Sequence, residues 1–143
     1  MAKRNKFFKP ALSVAQQVLA MASTYEGRFR VSFDRNHCVN WTGTVVPCGL
    51  GKQYQVRIVY PFRRRPEVWV VRPAIGHYEN GKKVPHTFAD GSICLHLHEQ
   101  WNPAVSIAAT IIPWLSRWLY HFEVWQAIDE WLGGGHEPSG GKH

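Results

Sequence analysis

Between Phe29 and Val71, four short runs of β-branched and aromatic residues are separated by turn residues, and this stretch constrains the fold more than any other. Phe29–Phe33 alternates apolar and polar residues, and Val39–Val45 does so more loosely. Tyr54–Tyr60 reads Tyr-Gln-Val-Arg-Ile-Val-Tyr, and Val68–Val71 is a short β-rich run. Period-two alternation sends successive side chains to opposite faces, so such runs predict half-buried strands. Arg35–Asn36, Pro47–Gly51 and Arg63–Pro66 supply the turns. Connections this short join neighbouring strands antiparallel, which predicts a four-stranded meander.

Helical patterns flank the strands. Pro10 can open a helix in which Leu12, Ala15, Leu19 and Ala22 recur at helical spacing beside Val18, with Gln16 and Gln17 on the other side. This helix is expected to end near Tyr25–Gly27. From Pro73 to Gln100 no period persists, and a long irregular segment within a compact domain is usually functional. Trp101-Asn102-Pro103 then reads as a helix start, with Asn102 at the N-cap and Pro103 at the first helical position. Val105, Ala108, Ala109, Ile111 and Ile112 make that helix apolar, and Pro113 is expected to kink or split it. A second helical run, Trp114–Leu132, carries Trp114, Trp118, Phe122, Trp125, Ile128 and Trp131. The order of elements predicts an α+β architecture with helices on one side of an antiparallel sheet.

At 143 residues, with 45% hydrophobic and 19% charged residues, the chain can bury a core without staples. Its three cysteines, Cys38, Cys48 and Cys94, are odd in number and form no CxxC pair, which points to a reducing cytoplasm and away from a disulfide framework. No run is apolar enough for a membrane span, and Pro10, Gln16 and Gln17 interrupt what a signal peptide would need. The net charge of +7 gathers at Lys3–Lys9, Arg63–Arg65 and Lys82–Lys83. Such clusters serve as solvated surface or as steering charge. A nucleic-acid-binding reading would rest on charge alone, because no recognition motif accompanies it, so no direct nucleic-acid contact is expected.

The chemistry concentrates in Pro85-His86-Thr87-Phe88-Ala89-Asp90-Gly91-Ser92-Ile93-Cys94-Leu95. A cysteine follows an Asp-Gly turn, with His86 upstream and His96 and His98 downstream. A thiol near imidazoles can be activated as a nucleophile, because the thiolate is the reactive form. Two other readings compete. Cys94 could be an ordinary core thiol. Alternatively Cys94, His96 and His98, joined by His86, could share one face and hold a metal, although C-x-H-x-H is not a common zinc spacing.

The segment resembles the active site of ubiquitin-conjugating enzymes. There a His-Pro-Asn tripeptide leads through an Asp/Asn-Gly turn to Ile-Cys-Leu, and Trp-Ser/Thr-Pro follows. Here Gly91-Ser92-Ile93-Cys94-Leu95 precedes Trp101-Asn102-Pro103, while Trp41-Thr42-Gly43, Tyr60-Pro61-Phe62, Pro66 and Val68 match the family's strand pattern in order. The resemblance covers roughly residues 10 to 118. It implies a ubiquitin-conjugating (UBC-like) fold for a single domain, residues 1–132, with residues 133–143 as a flexible glycine-rich tail. Val84-Pro85-His86 stands where the family has His-Pro-Asn, so His86 replaces the asparagine held to stabilise the oxyanion. A histidine there can donate to the oxyanion, act as a base or simply shape the turn. The Cys94–Trp101 spacing is shorter than the family's by one residue, and the usual acidic helper has no counterpart.

The ending Trp118-Leu119-Tyr120-His121-Phe122-Glu123-Val124-Trp125, with Trp131-Leu132-Gly133, resembles stand-alone conjugating-like proteins of bacterial anti-phage (CBASS) operons. That resemblance implies a transferase whose Cys94 takes the C-terminal residue of a cGAS/DncV-like nucleotidyltransferase as a thioester and passes it to a target lysine. It requires no metal or organic cofactor at this step. Asp90 and Gly91 would shape the turn that presents the thiol. Trp101 and Pro103 would anchor the segment, His96 and His98 would line the site, and Arg63, Arg64 and Arg65 would form a docking face. The alternative is a non-catalytic module of the same fold that holds the nucleotidyltransferase.

Overall fold

The computed structural model describes residues 9–48, 51–95 and 101–133. Helix α1 spans Val14–Thr24. Strands β1 (Phe29–Phe33), β2 (Val39–Val45), β3 (Tyr54–Tyr60) and β4 (Glu67–Arg72) follow, then a small hairpin of β5 (Tyr78–Glu79) and β6 (Lys82–Lys83), and finally helix α2 (Ile107–Ile128). The architecture is α+β, with a four-stranded antiparallel sheet in the order β1-β2-β3-β4.

The meander forms where the alternation predicts it. Trp41 lies opposite Val31 on one side and Ile58 on the other, and Ile58 lies opposite Val68. Residues paired this way share a face. That face buries Val39, Trp41, Val45, Tyr54, Val56, Ile58, Tyr60, Val68 and Val70 against the helices. Positions such as Thr44 and Arg57 point the other way and stay exposed.

The helix boundaries depart from the sequence expectation. Helix α1 begins at Val14, not at Pro10, because Ser13 caps it. The Ser13 hydroxyl accepts from the Gln16 amide at 3.0 Å, and the Gln16 side chain accepts from the Ser13 amide at 2.8 Å. This reciprocal pair satisfies donors that a helix start leaves open. The buried face is also not the expected one. Leu19 is 68% exposed, whereas Gln17 is 0% exposed and Met21 lies beside it in the core.

The reason lies ninety positions away. The Gln17 side-chain NH2 donates to the Val105 carbonyl at 3.0 Å, and its amide oxygen accepts from the Ile107 backbone N–H at 2.9 Å. Ile107 opens α2, so Gln17 satisfies one of the orphan donors at that helix start. Tyr25 extends the same seam by donating its hydroxyl to the Ala108 carbonyl at 2.7 Å.

Trp101-Asn102-Pro103 does not open a helix. Asn102 instead forms a turn: its side chain accepts from the Ala104 amide and its carbonyl from the Val105 amide. Ser106 then caps α2, accepting from the Ala109 amide at 3.3 Å. Pro113 does not split α2, which runs through it to Ile128. Proline removes the bond to the carbonyl four residues back, here Ala109. Ala109 and Pro113 are both exposed, so solvent can satisfy that carbonyl. The inward side, from Ile107 through Ile111, Leu115, Trp118 and Phe122 to Trp125, packs without interruption.

Hairpin β5–β6 falls within the stretch where no sequence period persists. Asn80 and Gly81 both have positive φ, 52° and 80°, as an Asn-Gly hairpin turn demands. Among the described residues no helix is long and apolar enough to cross a membrane.

Candidate active site

Cys94 sits on a short return segment pinned to the sheet edge. Thr87 and Ile93 form an antiparallel bridge, and the Ile93 amide donates to the Val68 carbonyl of β4 at 2.8 Å. One residue further, the Cys94 amide donates to the His86 carbonyl at 2.9 Å. The thiol-bearing residue and the histidine are thus opposite each other at the open end of a tight loop.

The loop is closed by its own residues. The Phe88 amide donates to the Ser92 carbonyl at 2.8 Å, and the Gly91 amide to the Phe88 carbonyl at 2.9 Å. Asp90 accepts from both the amide and the hydroxyl of Ser92, at 2.8 and 2.6 Å. Gly91 has φ +93°, which L side chains rarely adopt, so the turn requires glycine there. His86 itself has φ +54°, a left-handed conformation in which histidine is enriched among non-glycine residues.

A second histidine supports the loop from behind. The Thr87 hydroxyl donates its one proton to the Val84 carbonyl at 2.8 Å. His77 Nδ1, 2.8 Å from the same oxygen, must therefore be the donor of that contact. Sequence reasoning passed over His77 because nothing local links it to Thr87.

Cys94 is 7% exposed and His86 is 8% exposed. The other two thiols lie elsewhere: Cys48 is exposed, and Cys38 sits at the start of β2. Desolvation and the neighbouring Asp34 carboxylate push the Cys38 thiol above its ordinary range, which disfavours its thiolate. None of the three forms a disulfide.

The expected site-shaping residues divide. Asp90 and Gly91 build the loop, as described. Trp101 is buried and packs edge-on against Tyr60, centroids 5.7 Å apart. The Pro103 carbonyl accepts from the Leu12 amide at 2.8 Å, tying the approach to α2 to the approach to α1. His96 and His98 lie outside the described residues, and so does the alternative metal set built on them. Among the described residues no three His, Cys, Asp or Glu side chains are grouped to hold a metal.

Arg63, Arg64 and Arg65 are exposed on the β3–β4 connection. Arg63, with Lys9, Pro103 and the residues around them, lines a cleft of about 820 Å³. Arg65 has a different neighbour: its guanidinium lies 4.3 Å from the Phe88 ring centroid, so it braces the Cys94 loop through a cation–π contact.

Fold and site together define an α+β domain that presents a cysteine opposite a histidine from a glycine-turned loop at its sheet edge. A family model described as Type II CBASS E2 protein matches residues 17–138, and the chain belongs to that family, which serves CBASS anti-phage defence. No curated protein matches the chain.

Proposed function

We propose that this protein is a carrier transferase of UBC-like fold, in which Cys94 holds the C-terminal residue of a cGAS/DncV-like nucleotidyltransferase as a thioester. The observation that carries this reading is the 2.9 Å bond between the Cys94 amide and the His86 carbonyl, within a chain of the Type II CBASS E2 family.

In loading, the Cys94 thiolate attacks an activated acyl carbon, its Sγ–C bond forms and the donor thiolate departs. In transfer, a target lysine amine attacks that carbon. Charge develops on the thioester oxygen, where a His86 N–H can donate. The attack forms the C–N bond; collapse restores the carbonyl, breaks C–Sγ and returns Cys94 as thiolate. The amine proton passes to His86 or to solvent. Asp90 and Gly91 hold the turn that presents Cys94, and Arg63 and Arg64 contribute a cationic docking face.

One observation favours the second reading, a non-catalytic module that holds the nucleotidyltransferase: Cys94 is 7% exposed, which leaves little room for attack in the free protein. The two readings separate on a non-reducing gel with the operon's nucleotidyltransferase and activating enzyme. The carrier reading expects a thiol-labile adduct that Cys94→Ser converts to a more stable ester. An adduct and a defence phenotype that both survive Cys94→Ala would end it.

A further inference from the structure

After α2 the chain reverses and crosses back toward the candidate active site. Asp129 adopts a left-handed conformation, φ 59°, and its amide still bonds to Trp125 at 2.7 Å, closing the helix. This turn carries Trp131 onto His86, with ring centroids 5.1 Å apart. Trp131 also leans on Trp118 at 5.4 Å and on His121 at 5.9 Å. Gly133 follows so close to His121 that a Cβ would lie 2.5 Å from its ring, so the strap formed by residues 129–133 passes tightly over that helix face.

What holds the strap can be read from burial. Its ion pair, Lys82 Nζ to Asp129 Oδ2 at 2.9 Å, joins side chains that are 59% and 63% exposed. An ion pair so exposed adds little. Beneath it, the Trp118 Nε1 and His121 Nδ1 atoms have no hydrogen-bond partner among the described residues. The indole of Trp131, tilted 49–54° against the His86, Trp118 and His121 rings, packs the strap onto that face.

We propose that Trp131 is a positioning residue for His86: its indole confines the imidazole on one side and so sets where that ring stands at the Cys94 thioester during transfer. The proposal rests on the carrier reading above. The left-handed His86 backbone and the loop fix where the side chain starts, and the indole borders the ring on one side, 5.1 Å between centroids. Loading uses Cys94 without need of a placed imidazole, so the strap acts on discharge alone.

The test uses the full chain in single-turnover assays that follow thioester formation and amine discharge separately. Trp131→Ala is expected to slow discharge about tenfold while loading stays within about twofold, since displacement of a catalytic group by an ångström is costly. Trp131→Phe, which keeps a ring, should recover most of the rate. Should Trp131→Ala not fold, Trp131→Leu preserves apolar volume without a ring and carries the same expectation. In a His86→Ala background the Trp131 substitutions should have no further effect, because residues that act through one another are not additive. Equal slowing in both backgrounds, or loading and discharge falling together, would overturn the role. The His86 ring-proton resonances should lie in the indole's shielding region and move on Trp131→Leu; unmoved resonances overturn it as well. A thioester that forms normally without coupling between the two positions removes only Trp131's role. No thioester on the unsubstituted protein removes the carrier reading and the positioning role with it.

Discussion

Gln17 offers the sharpest test of how this fold is held. It is 0% exposed and its amide bridges Val105 and Ile107 across the α1–α2 seam. Gln17→Leu keeps the bulk but leaves the Ile107 N–H, itself 0% exposed, without an acceptor, and the Val105 carbonyl without a donor. A buried group stripped of its partner costs about 1–3 kcal/mol. Val105 is half-buried, so water recovers part of its share. The expected loss is about 3 kcal/mol, which at this size lowers the melting temperature by roughly 10 °C. Urea titrations should show the same loss as a shift of midpoint without change of slope. Leu19→Ala is the matched control. At 68% exposed, Leu19 should cost no more than about 0.5 kcal/mol, although ordinary helical patterning would rank the two positions the other way. A Gln17→Leu protein within about 0.5 kcal/mol of the parent, or a Leu19→Ala protein that loses more than Gln17→Leu, would refute the reasoning.

Other consequences are equally open to measurement. Gly91→Ala places a side chain at φ +93° and should destabilise the Cys94 loop by about 1–2 kcal/mol, read by thermal unfolding; under the proposed carrier function it should also reduce thioester formation more than a distant surface substitution does. Burial, followed by its 2.8 Å bond to Glu123, raises the Tyr54 pKa above 10.0. The folded state then keeps a proton that the unfolded state releases, so this stabilisation is present below the unfolded tyrosine pKa and is lost as pH rises beyond it. Urea midpoints measured above pH 10 should fall less steeply for Tyr54→Phe than for the parent; equal slopes would dismiss the linkage. Limited alkylation with mass-spectrometric readout should label exposed Cys48 well before Cys38, whose thiol is held protonated; the reverse order would contradict the burial assigned to them.

Much of the architecture was written locally. The meander follows from alternation within each run: Tyr54–Tyr60 buries every second residue and turns the ones between outward, as its pattern dictates. The Cys94 loop is local too, since Ser92 bonds to Asp90 and Gly91 to Phe88, all within a few residues of Cys94. The Asn80-Gly81 hairpin was equally local, but it hid in a stretch too short for any period to register.

The rest depended on partners far along the chain. Helix periodicity chose the Leu19 side of α1, because hydrophobicity alone cannot tell that a buried amide is needed where α2 begins 90 positions later. Pro113 reads as a helix break until its face is known to meet solvent. Trp131 reads as one more apolar residue of a long helix, yet the turn at Asp129 brings it onto His86, 45 positions upstream. Local sequence determined which elements form and how the thiol is presented. Tertiary structure alone decided which helix face is buried, which helix start is satisfied by a side chain from elsewhere, and what stands over His86, because each is set by groups that meet only when the chain has folded.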